Sequence, residues 1–127
     1  MVLELPAHPR AARLARDRLR AEATSRLPTP ALQDLLLLTS EVVTNAVLHG
    51  TPPITLSIEF LERPPGVRVS VADCHESPPS VRVSNRAAIA GRGMAVVDAV
   101  ADRWGVEPLA GGGKTIWFEV LVDGARA

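Results

Sequence analysis

A chain of 127 residues and 13.5 kDa is long enough to bury one real core, and a hydrophobic fraction of 46% marks it as globular. Its 14 Lys and Arg balance 14 Asp and Glu, so no basic field points to nucleic acid, and the arginines are too scattered to form a tract. The single cysteine, Cys74, excludes an internal disulfide and a cysteine-built zinc site, which suits a reducing interior.

Glu4 and Pro6 stand where a signal peptide needs its apolar core, and no uncharged run approaches the roughly 20 residues that cross a bilayer. The expected location is therefore the cytoplasm, with no membrane and no direct nucleic acid among the partners. Val2-Leu3-Glu4-Leu5, stopped by Pro6, reads as an edge strand. From Arg10 to Leu27 the apolar positions Ala11, Leu14, Ala15, Leu19 and Ala23 oppose Arg13, Arg16, Asp17, Arg18 and Arg20, the pattern of an amphipathic helix with a solvated arginine face. Pro28 and Pro30 close it and open a second helix, Pro30 to Leu48, for which Gly50 is expected to supply a positive-φ stop.

That second helix is greasy on most of its circumference, through Leu32, Leu35, Leu38, Val42, Val43 and Ala46. It carries one polar stripe: Glu41, Asn45 and His49 advance only roughly 40° per step. Such a stripe faces either solvent or a polar cleft.

Thr51-Pro52-Pro53 then reads as a rigid connection. Ile54 to Phe60 and Val67 to Asp73 alternate strictly across Arg63-Pro64-Pro65-Gly66, giving an antiparallel hairpin whose inner face a helix can cover. Cys74 to Ala90 reads as a loop with a short helical piece near Arg86 to Ile89. Gly91-Arg92-Gly93-Met94 leads into a third helix from Ala95 to Ala101, and a strand from Arg103 to Glu107 follows. Gly111-Gly112-Gly113 turns the chain into a last strand from Thr115 to Val122, and Asp123 to Ala127 forms a frayed end.

Taken singly, each chemical feature has a plain structural explanation. Glycines before a helix let backbone approach a phosphate but also serve as loop junctions. Asp73 at a strand end can accept from an exocyclic amine or simply end the strand. His49 has no second histidine at metal-ligand spacing, and Cys74-His75 has no acid partner near it.

Their order along the chain is more specific. Glu41-x-x-x-Asn45 on a helix, a strand ending at Asp73, Gly91-x-Gly93 before a helix and a threonine on the last strand together resemble the ATP-binding domain of the GHKL superfamily. More narrowly, Leu38 to Gly50, Gly91-Arg92-Gly93-Met94 through Arg103-Trp104-Gly105, and Gly113 to Glu119 are similar to the stand-alone anti-sigma-factor serine/threonine kinases. The resemblance covers nearly the whole chain.

The resemblance implies one domain over residues 1–127, an α/β (α+β) two-layer sandwich with a mixed, mainly antiparallel sheet and helices on one face. It implies ATP and Mg²⁺, with Asn45 as the metal ligand and Glu41 as the general base. Asp73 would hold the adenine amine, Gly91, Arg92, Gly93 and Met94 would line the phosphates, and Thr115 would support the adenine end. His49 and Ser77 complete the candidate nucleotide set. The implied partners are an anti-anti-sigma-like protein and a sigma factor, and the family admits a homodimer.

The chain departs from the pattern after Asp73, where Cys74-His75-Glu76-Ser77-Pro78-Pro79 replaces a glycine-rich segment. That departure keeps a second reading open: a non-catalytic nucleotide- or partner-binding module on the same fold.

Overall fold

The two alternating runs pair at the centre of a sheet. In the computed structural model, which describes residues 1–74 and 93–123, Thr51–Glu62 (β2) and Pro65–Cys74 (β3) run antiparallel in register from Thr55↔Ala72 to Glu62↔Pro65. Val2–Leu5 (β1) adds to the outer edge of β2. On the other side, Arg103–Pro108 (β4) and Lys114–Leu121 (β5) form a hairpin, with β5 lying against β3. The order β1-β2-β3-β5-β4 is antiparallel at every described pairing, so the mainly antiparallel expectation is realised without a parallel component.

Successive strand residues point to opposite faces. One face therefore collects Ile54, Leu56, Ile58, Val67, Val69, Val71, Ile116, Phe118 and Val120, all buried. Three described helices cover it: Ala11–Ala23 (α1), Thr29–His49 (α2) and Gly93–Val100 (α3). The long α2 lies in the middle, against β2, β3 and β5, with α1 on the β1 side and α3 on the β4 side.

α1 packs on α2 through Ala11, Ala15, Leu19 and Ala23, mostly small side chains that admit close approach, and Arg16 Nη1 donates to Ser40 Oγ at 2.9 Å. Its solvent side carries the pairs Arg20–Asp17 and Arg18–Glu22, each exposed and worth a few tenths of a kcal/mol, on the order of 0.3. By length and hydropathy alone α2 would pass as a bilayer span, yet Leu35, Leu38, Val42 and Val43 are fully buried within this fold. Thr39, buried among them, donates its hydroxyl to the Leu35 carbonyl at 2.7 Å.

Two local expectations are corrected. Gly50 closes α2 with its N–H on the Ala46 carbonyl at 2.8 Å, but its φ of −96° is extended, so no left-handed stop is involved. Thr51-Pro52-Pro53 belongs to β2 itself, and the register shifts between Thr51 and Thr55, where two prolines cannot donate to a regular ladder. The glycine turn does use the left-handed region, at φ 88°, 107° and 94° for Gly111, Gly112 and Gly113. The expected loop and helical piece between Cys74 and Ala90 lie, after Cys74, outside the described residues, as does the end of the tail.

Candidate functional site

The apolar inner face of β3 ends on a charge. Parity carries Val67, Val69 and Val71 into the core, and the same parity turns Asp73 inward, where only 2% of its surface is exposed. Its partner across the β3–β5 ladder is Lys114, whose Nζ donates to Asp73 Oδ2 at 2.7 Å. The other carboxylate oxygen, Oδ1, is buried and has no hydrogen-bond partner among the described residues. A buried acceptor left unpaired costs about 1–3 kcal/mol, so this oxygen is set to receive a donor.

Two glycines wall the corner. A Cβ at Gly50, at the end of α2, would lie 2.6 Å from Asp73 Cγ and 2.7 Å from the Ala46 carbonyl oxygen. A Cβ at Gly113, at the start of β5, would overlap the Asp73 carbonyl oxygen. Gly50 is thus required by close approach, since any residue can adopt its backbone angles.

The polar stripe of α2 runs along the helix that ends at this corner, and its burial varies from residue to residue. Asn45 lies seven residues after Leu38, about 20° from it around the axis, and is 7% exposed. Glu41, one turn earlier, is half-buried, while His49, the last residue of α2, is exposed. Gly93 opens α3 and Met94 is fully buried, with α3 packed along α2. Ser77, Gly91 and Arg92 lie outside the described residues.

Thr115 does not share the corner. It pairs with Ala72 and Glu107, and its side chain leaves β5 on the sheet face opposite Asp73 and Lys114. The residue beside Asp73 is Lys114, which sequence reasoning passed over together with the contacts of Gly50 and Gly113. Parity held the signal for Lys114: Phe118 must be inside, so Lys114 is inside and Thr115 outside.

Among the described residues, no group of three or more His, Cys, Asp and Glu is placed to hold a metal ion. The Asn45 amide oxygen is a hard donor of the kind Mg²⁺ accepts, and Mg²⁺ needs few protein ligands.

A model of the histidine kinase-like ATPase domain matches residues 5–120. The chain belongs to that family. No curated protein matches it closely enough to lend it a role. Membership in a family of ATPase domains supports ATP as the ligand, and the α+β architecture, with three described helices over a five-stranded antiparallel sheet, is consistent with that family's fold. The residues present fit that ligand: Asp73 Oδ1, without a partner among the described residues, is an acceptor of the kind an exocyclic amine satisfies, and a buried amide stands on the central helix.

Proposed function

We propose that this ATPase domain is a cytoplasmic regulatory serine/threonine kinase of the anti-sigma type. It phosphorylates an anti-anti-sigma-like protein and holds or releases a sigma factor by partner exchange. The single observation that supports a nucleotide at this corner is the buried Asp73 Oδ1, which has no hydrogen-bond partner among the described residues and is framed by Gly50 and Gly113. The regulatory reading rests on the similarity of Leu38 to Gly50 and Gly113 to Glu119 to the small anti-sigma kinases.

In this proposal Asp73 accepts a hydrogen bond from the base amine, and Asn45 offers its amide oxygen to Mg²⁺. Bound Mg²⁺ supplies charge neutralisation at the phosphates. Glu41, half-buried and one turn from Asn45, takes the proton from the serine or threonine hydroxyl of the partner as that oxygen bonds to the γ-phosphorus and ADP leaves. The glycine-led start of α3 offers backbone N–H groups to the phosphates.

Equilibrium titration with ATP, with and without Mg²⁺, tests the binding half. Saturable, Mg²⁺-strengthened binding that Asn45→Ala abolishes is expected, and absence of binding contradicts it. Glu41→Ala should keep binding and lower phosphorylation of the partner by about 10² or more.

The sequence after Asp73, Cys74-His75-Glu76-Ser77-Pro78-Pro79 in place of a glycine-rich segment, supports the non-catalytic alternative. Saturable ATP binding with no phosphorylation of any partner, and partner release indifferent to Glu41→Ala, would select that reading.

A further inference from the structure

The corner at the end of β3 holds one charge that neither phosphate binding nor proton transfer uses. Lys114 is 7% exposed, on a strand whose other inward residues are Ile116, Phe118 and Val120. An ammonium in such a place is costly unless paired, and its pairing with Asp73 Oδ2 at 2.7 Å meets that requirement. The bond uses one of the three donors an ammonium carries. It also fixes which carboxylate oxygen remains: Oδ1, buried and without a hydrogen-bond partner among the described residues.

Asp73 and Lys114 therefore present an acceptor beside a donor, on neighbouring strands and held in register by the β3–β5 ladder. We infer that Lys114 is a specificity-determining residue of the base pocket, where Asp73 Oδ1 accepts from the exocyclic amine of adenine while the Lys114 ammonium donates to the adjacent ring nitrogen N1. The inference rests on the ATP site proposed above and deepens it: the pocket reads two neighbouring atoms of the base, where Asp73 alone would read one. A lysine serving only to neutralise Asp73 would leave N1 unread.

Base analogues separate the two roles. Wild-type protein is titrated with ATP, with purine riboside triphosphate, which lacks the N6 amine, and with 1-deaza-ATP, in which C–H replaces N1. Lys114→Met is titrated with the same three. Each deletion should weaken wild-type binding about tenfold, the scale of one hydrogen bond to a charged group. In Lys114→Met the loss from the missing amine should persist and the loss from the missing N1 should vanish. Equal wild-type affinity for ATP and 1-deaza-ATP overturns the inference and leaves Lys114 as a counter-charge, with the ATP site standing. Equal affinity for ATP and purine riboside triphosphate, or no binding of ATP, overturns the site itself and the inference with it. The wild-type comparison needs no substitution, so a Lys114→Met protein that fails to fold does not rescue the inference.

Discussion

Asp73 and Lys114 are each expensive to bury alone and tolerable together. Asp73→Asn leaves the Lys114 ammonium inside without its counter-charge, and should cost about 3 kcal/mol in denaturant unfolding. Adding Lys114→Met to it should recover a large part of that loss, because the two residues are in contact and their effects do not add. Additive losses would show that the pair is not coupled. Asp73 was legible in the sequence because a strictly alternating strand ends on it. Lys114 was harder to read: it shares the parity of Ile116, Phe118 and Val120, but a lysine that opens a strand also fits a solvated end, and the apolar Trp117 breaks the alternation on the outer face, beneath the Arg68 guanidinium at 4.0 Å. The pairing of Phe118 with Val69 confirms that this parity is inside.

At the scale of the element, α2 could be read almost to its ends, since its apolar positions and flanking prolines mark them. Its burial is sharply sided: Leu35 is fully buried and Leu37 is 44% exposed. Leu35→Ala should cost about 2–5 kcal/mol and Leu37→Ala less than about 0.5 kcal/mol in the same unfolding experiment. The reason for Gly50 was not legible, because a glycine after a helix has a local explanation and the one found here is tertiary. Three alanine variants separate the causes. Gly111→Ala has open space but φ +88° and should cost about 1–2 kcal/mol in backbone strain alone. Gly50→Ala has no such strain and should cost about 1–3 kcal/mol from crowding against Asp73. Gly113→Ala carries both penalties and should be the most damaging of the three. Gly50→Ala as mild as a surface substitution would mean that the end of α2 does not press on Asp73.

Across the whole molecule, the order of the strands makes the corner. After β3 the chain passes through α3, lays β4 at the far edge and turns back so that β5 inserts between β4 and β3. That return brings the glycine turn and Lys114 against Asp73, while α2, ending above the same strand tip, brings Gly50. Alternation and glycine positions showed which segments were strands and turns. They carried no information on which strand would neighbour β3, because an edge hairpin and an inserted one have the same local pattern. The resemblance in the order of motifs supplied the architecture, and the match over residues 5–120 agrees with it. The central claim is that α2, the tip of β3 and the start of α3 border one ATP site. It is tested most directly by titrating isotope-labelled protein with Mg²⁺ and ATP and following the backbone amide resonances. Saturable shifts should gather at Asn45, Gly50, Asp73, Met94 and Lys114, while those of Leu14, Asp17 and Ala21 on α1 stay still. Shifts gathered on α1, or spread without saturation, would contradict the account.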